Sequence, residues 1–514
     1  MRGPLYISTI LGILSQSCVF IPVPKNETNE RRKDIIKNTG AKLYIEIDQE
    51  RDTITHHTIG NSGKKITYPE STIYIIHTSG TTGSPKGVMI GEQSLVNCLE
   101  WHIDFLNIKP SDCIAQVSRP TFDFSIPEIF LPLTTGASMY IPKYPLGENF
   151  IYFLEELSNS KTTILQLVPT VLSRFINYYE DNPNKIVNLN KIQHLVCNGE
   201  KLSDNLRKRF YKVLPQAILH NCYGPTEACV AVTEYKCEME KTSLPMLIGK
   251  PAPNVFLFLS NSDSEDKNKY EIFIGGVHNS FGYVNDNKKT RESFITMNFN
   301  GIKETLYKTG DEVKVINGEI QFLGRKDRQV KYKGVRIELS EIENIILSSK
   351  LCKDVRVEMI KEEEKEIETF HLACFIVLSN FATEDQIKSW MTSNVPADRL
   401  PSKLYYLKEM PFTKHGKLDT GKLIKIHKDK IKKHYKTLDK SNLALSILEN
   451  MCGRSINKNE LMGFLNLDSL SLIDLYFRLK NENLEFYGDL SILNNISVEK
   501  FCSTLSQKKS RIKS

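Results

Sequence analysis

Thr78-Ser79-Gly80-Thr81-Thr82-Gly83-Ser84-Pro85-Lys86-Gly87 directly follows the apolar, β-branched run Ile73-Tyr74-Ile75-Ile76-His77. That run reads as a buried strand. The ten residues after it hold three glycines, five hydroxyl side chains and one lysine. Glycine lets a backbone turn tightly and approach a ligand, and free N–H groups with one cation suit a polyphosphate. An ordinary surface turn shares this composition. The strand before it and the Pro-Lys-Gly inside it favour the ligand loop. It is not a Walker A loop, because Lys86 follows a proline and Gly87 stands where Ser or Thr is required.

Working outward, Asn221-Cys222-Tyr223-Gly224-Pro225-Thr226-Glu227 follows the apolar run Ala217-Ile218-Leu219. Gly-Pro forces a turn that presents Thr226 and Glu227 at a strand end. A carboxylate there can hold Mg²⁺ against phosphate oxygens, and Tyr223 can stack on a purine. Asp123 lies in the apolar segment Phe122-Asp123-Phe124-Ser125 and needs a partner if buried. A bound amine would serve. Alternatively, Asp123 or Ser125 caps a helix starting near Pro127. Asp468-Ser469-Leu470 is by itself equally a helix N-cap.

Taken together these stretches resemble the signatures of the adenylate-forming superfamily: acyl-CoA synthetases, luciferases and the adenylation domains of peptide synthetases. Thr78–Gly87 is similar to its phosphate loop, with Thr78, Ser79, Gly80, Thr81, Thr82, Gly83 and Lys86 as ATP-binding residues. Asn221 to Glu227 resembles "Y-G-P-T-E", with Thr226 and Glu227 as catalytic residues and Glu227 as the metal ligand. The resemblance implies that Asn221, Tyr223 and Gly199-Glu200 line the adenine pocket, although Asn198 replaces a usual glycine. Tyr307-Lys308-Thr309-Gly310-Asp311 resembles "Y-R-T-G-D", which makes Asp311 the ribose ligand. Gly324 to Glu343 resembles "G-R-x-D-x-Q-V-K-x-x-G-x-R-I-E-L-x-E-I-E" at every fixed position. It implies that Arg325 holds ribose or phosphate and that Asp327 is the hinge of a mobile lid. Within it, Ile337, Leu339, Ile342, Ile345 and Ile346 read as helix core. Leu400 to Asp419 resembles the terminal "L-P-x-T-x-N-G-K-x-D", with Lys417 the catalytic lysine and His415 in place of asparagine. Phe122–Ser125 matches "F-D-x-S" of amino-acid-activating members, where Asp123 pairs with the substrate ammonium. Leu465 to Leu472 resembles the phosphopantetheine attachment site of carrier domains, with Ser469 as the attachment serine and Ser471 the nearby decoy.

Within the superfamily, Arg119 to Leu131 and Phe412 to Lys417 resemble the β-alanine-activating branch, acyl-CoA synthetase family member 4. That resemblance implies ATP, Mg²⁺ and 4'-phosphopantetheine, a small amino or carboxylic acid substrate, a phosphopantetheinyl transferase and a downstream acyl acceptor of unknown identity. The positions around Asp123, Gln166 and Cys222 to Val230 are suggestive of the substrate pocket. A fatty acyl- or aryl-CoA synthetase needs neither Asp123 nor Ser469 and stands as the alternative. A decayed, non-catalytic scaffold is the other. Members carry further residues before the segment matching Leu11 to Pro22, and the branch carries a β-propeller after the carrier. The expectation is an N-terminally shortened first subdomain.

The expected fold is α/β. A large, shortened adenylation subdomain (1–324) precedes a small α+β lid (325–425), a basic linker (426–440) and an all-α carrier-like bundle (441–510). Helices are expected at Leu5–Leu14, from Asp34, at Glu92–Trp101, Glu338–Ser348 and Asp385–Ser393. Strands are expected at Cys18–Pro24, Leu43–Ile45 and, as a pair, Val355–Ile360 with Phe370–Leu378. Alternating elements to about residue 250 imply layers around a mostly parallel sheet. Residues Asp48 to Pro69 and Lys361 to Glu368 read as loops, and Tyr270 to Leu323 as small β-structure.

The 514 residues allow several domains, and 40% apolar with 25% charged residues is ordinary for a globular protein. The net charge of +7 is spread among mixed charges, and the basic run Lys422 to Lys436 lacks aromatic stacking partners. No nucleic-acid partner is expected. Eleven cysteines without a CxxC pair suggest neither zinc nor a disulfide framework, and a cytoplasmic, reducing setting is expected. Ser15-Gln16-Ser17 interrupts the only signal-like start, and no apolar stretch reaches the ~20 residues that span a bilayer.

Overall fold

The computed structural model describes the chain outside residues 1–2, 25–28, 49–50, 52, 60–65, 79–85, 144–149, 182–188, 240–244, 262–267, 300, 333–334, 365–366, 397–398, 413–417, 436–439, 453–455, 466–474, 476–478, 480–483, 487–495 and 508–514. It divides into two compact units, Met1–Lys143 with Leu154–Glu338, and Tyr144–Phe153 with Leu339–Ser514. No helix among the described residues is long and apolar enough to cross a membrane.

The first unit is built on a seven-stranded sheet in the order Lys250–Pro251, Thr233–Cys237, Ile218–Tyr223, His194–Cys197, Ile164–Leu167, Cys113–Ala115, Ser138–Tyr140. The strands from Ile218–Tyr223 to Ser138–Tyr140 are parallel, and Thr233–Cys237 and Lys250–Pro251 close one edge antiparallel. Ile164–Leu167 is buried throughout. Such uninterrupted burial is expected of a parallel strand covered on both faces. A five-stranded antiparallel sheet lies in the same unit, from Val255–Asn261, Lys269–Gly276, Phe294–Phe299, Ile302–Ile316 and Glu319–Arg325. Strand Thr72–Thr78 pairs antiparallel with Lys86–Gly91. Tyr74, Ile76, Val88 and Ile90 of that pair are in the main core, with Phe20 and the helix residues Tyr6, Ile7 and Ile10.

Several expectations need correction. Cys18–Pro24 is not a strand. Only Phe20 bridges to Tyr74, through Phe20 N to Ile73 O (3.2 Å) and Ile75 N to Phe20 O (3.1 Å). Pro22 and Pro24 have no N–H with which to continue the ladder. The polar stretch after Asp48 contains a strand, Thr53–Thr58, paired antiparallel with Leu43–Asp48. It is exposed along its length, so no apolar alternation marked it. Helix Ser125–Thr135 has Phe124 at its N-cap and no side-chain cap, so neither Asp123 nor Ser125 performs the capping role. Ile337 is buried in strand Val335–Glu338, one element before the helix Leu339–Ser348. Leu339, Ile342 and Ile346 are buried in that helix.

The second unit contains a three-stranded sheet of Cys352–Glu364, Ile367–Leu378 and Lys403–Tyr406. The charged stretch expected to be a loop continues the first two strands, with Lys361 opposite Phe370 and Glu364 opposite Ile367. Sequence polarity misled because a long hairpin can project beyond its core. Helix Glu384–Asn394 starts with a capping box between Thr383 and Gln386. Buried His427, in helix Thr420–Tyr435, bonds Tyr405 through Nδ1 and Glu362 through Nε2, both at 2.7 Å. Toward the C-terminus a separate apolar cluster gathers Ala444, Ile447, Leu448, Leu475, Leu479, Val498 and Phe501. This part is not purely helical, since Leu484–Phe486 pairs with Leu505–Gln507.

Arg399 Nη1 donates to Glu341 Oε2 at 3.0 Å, with both side chains buried. Removing one partner of such a pair strands a charge in low dielectric. Arg399→Leu is expected to destabilise the second unit by about 3–5 kcal/mol, read from its urea midpoint.

Candidate active site

The site in the first unit is organised by the segment leaving strand Ile218–Tyr223. Gly224 follows the strand, and a Cβ there would lie 2.5 Å from the Ala231 Cα, so the chain can fold back only with glycine. Thr226–Ala228 then form one 3₁₀ turn. Cys229 and Val230 follow at φ 52° and 72°, a conformation that costs a β-branched residue most. Asn198 holds that strained turn. Its Nδ2 donates to Val230 O (3.1 Å) and its Oδ1 accepts from Gly199 N (2.7 Å). The departure from the usual glycine therefore has a local structural use.

The turn buries Glu227, which is 1% exposed. Tyr283 Oη donates to its Oε1 at 2.7 Å, and Arg336 Nη1 to its Oε2 at 2.8 Å. Burial alone would raise the carboxyl, but the Arg336 charge and the Tyr283 hydroxyl outweigh it and hold Glu227 below its usual range. Asp123 is also buried, and the Thr226 hydroxyl bonds its carboxylate. Here burial wins, and the Asp123 carboxyl is raised although Thr226 and the Lys331 ammonium oppose the shift. The structure thus brings Asp123, Thr226 and Glu227 together.

Asp311 forms a second cluster. Its Oδ1 accepts from Arg325 Nη1 at 2.6 Å and its Oδ2 from Tyr223 Oη at 2.5 Å. Arg325 also grips Asp327 by Nε and Nη2, at 2.7 and 2.9 Å. Burial opposes the charge on Asp327, but the Arg325 fork keeps its carboxyl low. Glu200 accepts from the N–H and hydroxyl of Thr170, at 2.9 and 2.6 Å. Asn221 Nδ2 donates to Leu247 O at 2.7 Å. Gly199 has φ 89°, and a Cβ there would come within 3.1 Å of the Phe124 ring. Strand register aligns Gln166 with Val196 and Val196 with His220, two residues before Cys222, so Gln166, Val196 and Cys222 share a sheet face. All three are buried, Val196 and Cys222 in the same core cluster as Phe124.

Of the Gly/Ser/Thr-rich stretch Thr78–Gly87, Thr78 ends one strand and Lys86 starts its antiparallel partner. Ser79, Gly80, Thr81, Thr82 and Gly83 lie outside the described residues. Lys86 Nζ stands 6.0 Å from the centre of the Tyr283 ring, and burial is the main cause lowering its pKa. Lys417 and Ser469 also lie outside the described residues. In the second unit the segment holding Lys417 is bounded by a bridge between Phe412 and Leu418. Asp419 N donates to Pro411 O there, at 2.8 Å.

Sequence reasoning assigned no role to Tyr283 or Arg336. Arg336 sat in a recognised motif, and its place after a glycine in a short hairpin was an available signal. Tyr283 carried none, because 56 residues separate it from Glu227.

The first unit thus combines a largely parallel α/β sheet with buried carboxylates, Asp123 and Glu227, on segments that follow its strands. The chain belongs to the AMP-binding enzyme family, whose profile matches residues 1–284, and is an adenylate-forming ligase. It is 31% identical over 455 residues to zwittermicin A synthase ZmaJ of Bacillus cereus, covering 83% of this chain and 84% of that protein. It is 28% identical to tyrocidine synthase 1 of Brevibacillus parabrevis over 93% of its own length, but spans only 45% of that protein. In fold it is similar to holo-PA1221, a nonribosomal peptide synthetase protein containing adenylation and PCP domains. The TM-score is 0.76 at 20% identity, covering 98% of this chain and 86% of that one.

The sign of the Glu227 shift sets a pH dependence. Its folded value lies below the ordinary 4.5, so it stabilises the fold above that pH and the contribution is lost as pH falls through the lower folded value. Asp123, raised above 3.8, acts in the opposite sense. Comparing acid unfolding of wild type and Arg336→Gln isolates the first effect: the variant is expected to lose less stability below pH 4.5 than wild type.

Proposed function

We propose that the protein activates a small amino acid, β-alanine or a similar one, as its acyl adenylate, and that the acyl group passes to a carrier thiol on the same chain. The observation that supports this best is Asp123, a buried carboxylate beside Thr226 and Glu227 whose carboxyl burial raises although the Thr226 hydroxyl, the Lys331 charge and the Phe124 N–H oppose the shift. A substrate ammonium would satisfy it, whereas a fatty or aryl acid would leave it uncompensated.

In the first step the substrate carboxylate oxygen attacks the α-phosphorus of ATP. A new P–O bond forms, and the bond to the β-phosphate oxygen breaks, so pyrophosphate leaves. The Thr78–Gly87 loop, through Lys86 and its backbone N–H groups, would cradle the phosphates. Asp311 and Arg325 would hold the ribose, and Asn221, Tyr223, Gly199 and Glu200 the adenine. Lys417 would offset charge gathering on the α-phosphate. The Glu227 carboxylate has the hard oxygen donors that Mg²⁺ prefers, although Arg336 holds one of them, so it fits the ion once that oxygen is released. Mg²⁺ bound there would offset phosphate charge. In the second step the acyl carbon passes from AMP to sulfur, with Asp327 as the hinge that exchanges one arrangement for the other. Phosphopantetheine on Ser469 would supply the thiol, after loading by a phosphopantetheinyl transferase.

Amino-acid-dependent pyrophosphate exchange tests the first step. Exchange with β-alanine or another small amino acid is expected, and Asp123→Ala should lower kcat/KM for it by about 100-fold, roughly 2.7 kcal/mol. Exchange with fatty acids alone overturns the amino-acid reading. Intact mass after treatment with a phosphopantetheinyl transferase and CoA tests the second step. The pantetheine adduct is expected in wild type and absent in Ser469→Ala.

A further inference from the structure

Glu128 lies in the first turn of helix Ser125–Thr135 and is 0% exposed. No step of the proposed reaction uses it. A carboxylate in a first turn ordinarily faces water and favours the positive end of the helix. This one reaches away from the helix instead, to the chain that leaves strand Cys113–Ala115. Its Oε2 accepts from Val117 N (3.0 Å) and Ser118 N (2.9 Å), and its Oε1 accepts from Ser118 Oγ (2.7 Å). Consecutive N–H groups aimed at one anion make a strong, directional grip.

Between the two ends of that grip lies the segment that carries Asp123. Its far end is fixed by short-range bonds. Phe122 N donates to Arg119 O (2.8 Å), Ser125 Oγ to Phe122 O (2.7 Å), and Ile126 N to Asp123 O (3.0 Å). The Phe124 ring is buried in the main core. The near end, at Val117 and Ser118, is tied to the helix by Glu128 across 11 and 10 positions. A loop that bears a binding group keeps its geometry only if both ends are held, and a misplacement of about 1 Å can cost about 100-fold in rate. Taking a carboxylate out of water is expensive, so packing alone would be met better by an apolar residue.

We propose that Glu128 is a positioning residue that fixes Asp123 and thereby sets the preference for acids that carry an amine, an inference that rests on the amino-acid reading above. Glu128 is not itself the amine ligand, since both of its oxygens are engaged by Val117 and Ser118. It acts through that stretch of backbone. Its removal lets the Asp123 carboxylate drift from the amine while the groups that face nucleotide stay in place. The loss therefore falls on discrimination between an amino acid and the same acid without its amine, and not on ATP.

The test is pyrophosphate exchange by the full chain with β-alanine and glycine, each against its amine-free counterpart, propionate or acetate. The readout is the ratio of kcat/KM for the amino acid to that for its counterpart. Glu128→Ala is expected to lower the ratio about tenfold, through KM for the amino acid, with KM for ATP little changed. Glu128→Gln keeps an acceptor for the Val117 and Ser118 N–H groups and a donor for the Ser118 hydroxyl, and is expected to recover most of the ratio. Should Glu128→Ala not fold, Ser118→Ala, which deletes the bond to Glu128 Oε1, is expected to lower the ratio about threefold. An unchanged ratio in folded Glu128→Ala or, failing that, in Ser118→Ala overturns the proposal. An equal fall for an acid with and without its amine also overturns it, because a purely structural contact acts on both alike. Either result leaves the amino-acid reading intact where wild type prefers the amine. Wild type that exchanges each acid and its counterpart equally, or none of them, overturns that reading and this proposal with it.

Discussion

A carboxylate removed from water must be given a cation or enough donors, or it takes up a proton. The first unit buries Asp123, Glu227 and Asp311 together, and its local structure is arranged around that requirement. Glu227 has Arg336 and Tyr283. Asp311 has Arg325 and Tyr223. Asp123 has the Thr226 hydroxyl, the Lys331 charge and the Phe124 N–H, and burial still raises its carboxyl. The arginines come from the strand ending at Arg325 and from the hairpin beyond it, so a short stretch of chain supplies the compensation for carboxylates more than a hundred residues earlier and for Asp311 close by.

The same arrangement explains the backbone strain nearby. Two consecutive residues with positive φ after Ala228 let the chain reverse while Glu227 stays buried. Asn198, His278 and the backbone hold the reversed segment, His278 through Nδ1 to Ala231 O at 3.0 Å. Strain of this kind persists where surrounding contacts over-determine it, and here those contacts come from two different strand ends and a loop.

Some of this was legible in the linear sequence. The parallel sheet followed from alternating apolar runs and helical periodicity. The loop and Glu227 stood out because glycine, proline and acidic residues cluster just beyond strands, and Asp311, inside strand Ile302–Ile316, stood out only through its Thr-Gly-Asp motif. The strand Thr53–Thr58 was not legible, since an exposed strand without apolar alternation is specified by its partner rather than by its own pattern. Nor was the extension of Cys352–Glu364, whose charged end reads as a loop until Ile367–Leu378 pairs with it.

The sequence by itself determined the chemistry available: which residue types occur, at which strand ends, and in an order shared with the adenylate-forming ligases. That information is local, carried by spacing and side-chain type. Only the tertiary structure decided the partnerships. Arg336 meets Glu227 across 109 positions and Tyr223 meets Asp311 across 88. No periodicity in the chain encodes such distances. They arise when two sheets and a hairpin pack so that buried charges of opposite sign coincide.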